Sequence, residues 1–218
     1  MATLHLSRLV LDPTSAQARA EIQRPYEMHR TLSKAFVPVE ASESIARSAL
    51  ATARPLFRID PGRQPGMVVA LVQSRSVPDW TRLTVTPGYL LRPPETRTFE
   101  PIFARGQLLA FRLRANPTVR REGKRRGLYQ ETEQATWLAR KAESGGFAVE
   151  QAVPITENRA LRARRKDEHT EHVVVRFDGI LQVRDPVRFA EILASGIGSA
   201  KAFGFGLLSV APLRAMHA

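Results

Sequence analysis

Apolar positions recur along the chain with two periods, and the change of period marks the elements. In residues 3–11, Leu4, Leu6, Leu9 and Leu11 fall among polar neighbours, and the segment stops at Asp12-Pro13. This predicts a first strand. Residues 14–22 are alanine-rich and predict a helix capped by Thr14 or Ser15. Pro25 suits the first turn of a second helix running to about Phe36. Residues 38–54 are small and polar, and are expected to be a loop with a helical turn. Residues 56–59 and 67–73 read as strands, turned back on each other by Pro61-Gly62 and Pro65-Gly66. A short helix fits residues 77–86, and the proline-rich stretch 87–101 is expected to be irregular.

The second half is more sharply patterned. In residues 107–116, Leu109, Phe111 and Leu113 alternate with Ala110, Arg112 and Arg114. Period two sets the apolar residues toward a core and both arginines on the other face. Pro117 ends this strand, and residues 118–127 (TVRREGKRRG) predict a mobile basic loop. Residues 131–144 carry Ala135, Leu138, Ala139 and Ala142 at helical spacing and stop at Gly145-Gly146. A strand over 147–154, a basic strand over 160–166, a turn at DEHTE and a return strand over 172–183 follow. A helix over 186–195 and a short strand over 205–210 close the chain. The fold class is therefore α+β, as two tandem ferredoxin-like (RRM-like) domains. Residues 1–118 form the first, 119–130 a basic linker, and 131–218 the second.

Charge narrows the partners. The 218 residues hold 33 Lys plus Arg against 21 Asp plus Glu, a net charge of +12. Residues 112–166 alone hold 14 basic and 6 acidic residues, a net of +8. Such an excess points to a polyanion, and it says nothing about fold. No apolar run of about 18 residues suggests a membrane span, and MATLHLSRLV does not read as a signal peptide. Cysteine is absent, which removes disulfides and thiolate metal sites and fits a cytoplasmic protein.

Four stretches could carry chemistry. In PYEMHRTLSK, residues 25–34, a turn of about 100° per residue places Tyr26, His29, Arg30, Ser33 and Lys34 on one arc. Met28, Leu32, Ala35 and Phe36 take the opposite one. RNA cleavage needs a proton taken from the 2′-OH, charge stabilised on the phosphorane, and a proton given to the 5′-oxygen. A histidine titrates near neutrality and suits proton transfer. A tyrosine, with a reference pKa of about 10, must either be tuned by nearby positive charge or only orient the 2′-OH. The same spacing also suits an ordinary amphipathic helix.

The second stretch is basic: Arg159, Arg162, Arg164, Arg165 and Lys166 crowd a strand that could track phosphates, or lie solvated. The third is GIGSAKAFGFGLLS, residues 196–209. It lacks the dinucleotide fingerprint, since Lys201 stands where glycine is needed. Around Gly198, Lys201, Gly204 and Gly206, backbone N–H groups could approach a phosphate, or the loop could serve as a connector. The fourth, His169-x-x-His172, sits in an expected turn and is not read as a metal site. No cofactor and no metal are expected.

Together PYEMHRTLSKA, LLAFRLRANP, EQATWLARK followed by GGF, and GIGSAKAFGFGLLSVAPL resemble, in order, the CasE family. These are the repeat-processing endoribonuclease subunits of the type I-E CRISPR surveillance complex, Cascade. The resemblance implies two ferredoxin-like domains and metal-independent cutting of precursor CRISPR RNA at the 3′ base of a repeat stem-loop. The ends are a 5′-OH and a 2′,3′-cyclic or 3′-phosphate, and the product is retained within the complex. It implies catalytic roles for His29, Tyr26 and Lys34. It maps the family's RNA-binding basic hairpin onto Arg159 to Lys166 and its glycine loop onto residues 196–206; apart from the resemblance, Arg30, Arg112 and Arg114 are expected to contact the RNA. The alternative is a non-catalytic subunit that only binds an RNA hairpin. A third reading is a basic protein docked on an acidic partner.

Overall fold

A computed structural model describes residues 3–62, 64–84, 88–157, 161–165 and 168–213. The chain forms two compact units, Met1–Pro101 with Lys201–Gly204, and Ile102–Ala200 with Phe205–Ala218.

The first unit runs β1 (Leu4–Leu11), α1 (Ala16–Gln23), α2 (Pro25–Ser33), α3 (Glu43–Ala53), β2 (Leu56–Pro61), β3 (Val68–Ser74), α4 (Thr81–Thr84) and β4 (Glu95–Phe99). Its sheet has the order β2-β3-β1-β4, with every neighbouring pair antiparallel. That is the ferredoxin-like order.

Local chemistry fixes the helices that matter. Ser15 caps α1, its side chain accepting from the Ala18 N–H. Arg24 follows with φ −124° and ψ 75°, because a residue before proline is pushed out of the helical region. Pro25 then starts α2 at a position whose N–H would be unpaired anyway. One non-helical residue thus ends α1 and aims α2.

The core joins Leu9, Leu11, Met28, Leu32, Phe57, Val72, Trp80 and Tyr89. Fully burying each large apolar side chain contributes roughly 1.5–3 kcal/mol. Glu21 is buried among them as the acceptor for Thr31 (2.7 Å), Tyr89 (2.5 Å) and Gln17 (2.9 Å), which ties α1 to α2 and to the chain before β4.

The second unit runs β5 (Leu108–Ala115), β6 (Thr118–Arg121), β7 (Lys124–Gly127), α5 (Glu131–Ser144), β8 (Phe147–Thr156), β9 (Leu161–Arg165), β10 (Glu168–His172), β11 (Val175–Val183), α6 (Pro186–Ser195) and β12 (Leu208–Pro212). Its main sheet has the order β12-β5-β11-β8, again antiparallel throughout. The ferredoxin-like order therefore repeats. The hairpins β6–β7 and β9–β10 are insertions into it. Phe111, Leu113, Trp137, Leu138, Phe177 and Phe189 are buried between this sheet and its two helices.

Five expectations are corrected. Residues 38–54 hold an 11-residue helix, α3, capped by Ser42. The stretch 87–101 contains β4, which pairs with β1. With β4 in place the first sheet is complete, so β5 opens the second unit and the boundary lies near 101 rather than 118. Residues 118–127 are a paired hairpin, not a loop. Residues 168–171 of DEHTE are not a turn: they belong to β10, which is itself the partner of β9, and β11 is a separate strand. Among the described residues no helix is long and apolar enough to cross a membrane.

Candidate active site

α2 turns Met28 and Leu32 fully inward, and Pro25, Thr31 and Ser33 are buried with them. Tyr26 and His29 are half-buried on its outer side, and Arg30 is exposed. Ser33, expected beside Tyr26 and His29, is instead buried, and its hydroxyl has no hydrogen-bond partner among the described residues. The α-helix ends there. Lys34 begins a 3₁₀ turn, Lys34–Phe36, where the angle per residue widens to about 120°. Lys34 is exposed and, among the described residues, has no ionic partner.

Four rings form a row within the first unit. The imidazole of His29 stacks on Phe57 of β2, with centroids 6.2 Å apart and planes 15° apart. Tyr26 lies 6.3 Å from His29 at 40°. The other side of Tyr26 meets Phe203 at 5.5 Å and 31°. Phe203 comes from a 3₁₀ turn, Lys201–Phe203, that packs on α2 and β2. Neither the Tyr26 hydroxyl nor the His29 nitrogens have a hydrogen-bond partner among the described residues. The rings are thus held by their carbon faces while their polar atoms stay uncommitted. Burial lowers the proton affinity of His29 below the ordinary imidazole value.

The other expected residues fare differently. Arg30 pairs with Glu27 at 3.0 Å on the exposed surface, an interaction worth about 0–1 kcal/mol and easily exchanged. Arg112 and Arg114 occupy the non-core face of β5, as period two requires. Both are engaged: Arg112 makes a two-pronged pair with Asp178 directly opposite on β11, at 2.7 and 3.0 Å. Arg114 pairs with Glu157 at 3.1 Å and lies over the Phe205 ring.

Arg162, Arg164 and Arg165 belong to β9, in register with Glu171, His169 and Glu168 of β10. Arg159 and Lys166 lie outside the described residues. His172 ends β10 and is buried, its Nδ1 3.0 Å from the Asn116 amide; it is a core histidine.

The glycine loop splits. Lys201 and Gly204 belong to the first unit, Gly198 and Gly206 to the second. Gly206 has φ +89°, its N–H donates to the Arg114 carbonyl (2.8 Å), and its carbonyl accepts from Ile197 (2.8 Å). The Gly204 N–H donates to the Lys201 carbonyl at 3.1 Å. These two buried glycines shape the loop; their N–H groups are already used inside the protein. The aromatic residues of the same motif, with Phe57, are the site members that sequence reasoning missed. The signal was present in KAFGF, where attention to glycine and lysine passed over Phe203.

With this geometry in hand, comparison with known proteins is decisive. The model of the family described as CRISPR associated protein matches residues 4–212. The chain belongs to the CasE family of CRISPR-associated proteins. It is 41% identical over 221 residues to the CRISPR-associated endoribonuclease Cse3 of Thermus thermophilus, covering 95% of this chain and 99% of that one. It is 32% identical over 171 residues to the CRISPR system Cascade subunit CasE of Escherichia coli, covering 72% of this chain and 81% of that one. The structure of Thermus thermophilus Cse3 bound to an RNA representing a pre-cleavage complex superposes with a TM-score of 0.83, at 39% identity over 96% of this chain and 100% of that one. As a CasE-family member, the chain carries the two ferredoxin-like domains that its two sheet orders display.

Proposed function

We propose that the protein is an endoribonuclease that binds the stem-loop of a CRISPR repeat, cuts precursor CRISPR RNA at the 3′ base of that stem without metal, and stays on the product as a Cascade subunit. The relatives' named activity and their RNA-bound structure support the class. The observation that carries the chemistry is the ring row, in which uncommitted polar atoms of Tyr26 and His29 stand side by side on α2.

In this reading the nucleophile is the substrate's own 2′-OH. Its oxygen bonds to phosphorus as the P–O5′ bond breaks, giving a 2′,3′-cyclic phosphate and a 5′-OH. Tyr26 orients the 2′-OH or takes its proton. His29 gives a proton to the departing 5′-oxygen. A lowered proton affinity makes its imidazolium a stronger acid. Lys34 stabilises the charge on the phosphorane, where a fixed cation acts more strongly than in water. The arginines of β9, with Arg30, grip the stem.

The test is direct. In excess EDTA, the purified protein cuts a repeat hairpin RNA once and leaves a 5′-OH, read by end-labelling. Tight binding with no cutting supports the hairpin-binding subunit instead, and equal affinity for hairpin and unstructured RNA of the same length sinks both. A second result is expected from pH. Burial disfavours the charged imidazole, so at neutral pH the donor form is the minor one in the free protein. If Tyr26 only orients the 2′-OH, kcat/KM therefore climbs as pH falls from about 8 toward the ordinary histidine value near 6.5; if Tyr26 takes the proton, the profile over this range is flat. A rate that falls over this range assigns His29 the role of base.

A further inference from the structure

The second unit has a groove that takes no part in the reaction above. Its volume is about 780 Å³. Its walls are the β6–β7 hairpin, the last turns of α5 and the segment after α6. Arg120, Arg125 and Lys141 line it together with Ser144 and Ser199. It shares no lining residue with the ring row or with β9 and β10.

Three observations give the groove its chemistry. First, among the described residues no Asp or Glu lines it; Glu122 of the hairpin turn pairs with Arg126, and Glu133 of α5 with Arg121. Arg125 and Lys141 have no ionic partner among the described residues. Arg120 bonds through Nε to the Gly123 carbonyl at 3.2 Å.

Second, the walls are rigid. Glu122 and Gly123 both have positive φ, 52° and 75°, the two-residue turn that matches the twist of a tight hairpin. Trp137, the floor, is buried and stacked on Phe177 at 6.2 Å. At Gly198 an added Cβ would sit 3.1 Å from that indole, so the loop lies close over it. Third, the Ser199 hydroxyl is buried and has no partner among the described residues.

We propose that this groove holds the phosphodiester backbone of a single-stranded RNA segment flanking the stem-loop. The cations and the Ser199 hydroxyl are donors, while the Ser144 hydroxyl already donates to the Lys141 carbonyl at 3.1 Å. A phosphodiester backbone brings acceptors to match, and arginine is suited to its oxygens. An uncharged peptide would bring carbonyl acceptors but no negative charge to match Arg120, Arg125 and Lys141. The volume is that of a pocket for a ligand of roughly 300–1,000 Å³, which suits a few nucleotides and not a duplex. The buried indole offers no open face for a base to stack on, so recognition is independent of sequence. The inference rests on the RNA-binding reading above.

The test uses the full chain and the triple variant Arg120→Gln, Arg125→Gln, Lys141→Gln, whose changed side chains lie outside the core. Wild type binds a repeat hairpin carrying a single-stranded extension of about ten nucleotides at least about fivefold more tightly than the bare hairpin, and the variant loses this gain. Its affinity for the bare hairpin stays within about twofold. The slope of log affinity against log salt for the extended RNA falls by about 2, since each of three single-strand phosphate contacts contributes about 0.7. A gain that persists in the variant overturns the proposal, as does equal weakening of both RNAs. A short oligouridylate, bound by wild type and released in the variant, tests the groove without the hairpin. If neither protein binds the hairpin, the stem-loop reading fails while this arm still decides the groove. Competition by polyglutamate but not by oligouridylate assigns the groove to an acidic protein, and the proposal falls.

Discussion

His29→Ala is expected to lower single-turnover cleavage of a repeat hairpin by about 10²–10⁴-fold, the usual contribution of a positioned proton-transfer group, with RNA affinity changed by less than about threefold. The separation follows from how the ring is held. Its face lies on Phe57 and its nitrogens have no hydrogen-bond partner among the described residues, so truncation removes a proton donor without unpairing any other polar group there. Quenched-flow cleavage and a filter-binding titration on the same preparation measure the two halves. Placing 2′-deoxy at the nucleotide to be cut should stop cleavage by wild type altogether with binding kept, because the nucleophile is then missing from the substrate. Normal cutting of that RNA would rule out attack by the 2′-OH. A variant that cuts at the wild-type rate would remove His29 from the reaction.

Phe57→Ala should destabilise the first unit by about 3–5 kcal/mol, the range for emptying a buried aromatic site. Phe57 is 2% exposed and belongs to the cluster that joins β2 to α2. At about 4–8 °C per kcal/mol for a unit of this size, its thermal midpoint should fall by more than about 10 °C. The same change admits water to one face of His29. Desolvation is what lowers this imidazole's proton affinity, so its titration, followed by NMR, should move back up toward the ordinary value near 6.5. A large loss of stability with no movement of the titration would show that other neighbours, not Phe57, desolvate the ring.

Particular elements show how much of this was legible in the chain. α5 was readable to the residue, because its apolar stripe is regular and Gly145-Gly146 ends it. β4 was not: ETRTF lies exposed along most of its length on the sheet edge, and a strand that buries neither face has no alternation to read. That omission displaced the domain boundary, since β5 was counted in its place. α3 escaped for a related reason. It buries only Ala53, and Ile45 is exposed, so alanine propensity and the Ser42 cap form it without an apolar stripe.

At the site, helical geometry brought Tyr26 and His29 together correctly. It failed for Ser33 and Lys34, where the helix tightens and ends. The pairing of Arg112 with Asp178 and of Arg114 with Glu157 depends on strand register across more than forty residues, which no local pattern carries. Phe203 stands far along the chain from Tyr26, and only the fold makes them neighbours.

The turn that supplies Phe203 makes the division of the molecule asymmetric. A clean cut near residue 101 would leave the amino-terminal piece with Tyr26 bare on one side, because the ring that covers it is encoded about a hundred residues downstream. The first unit is therefore finished only once residues 201–204 have been made, and a gene split between the two folds would not encode two self-sufficient products.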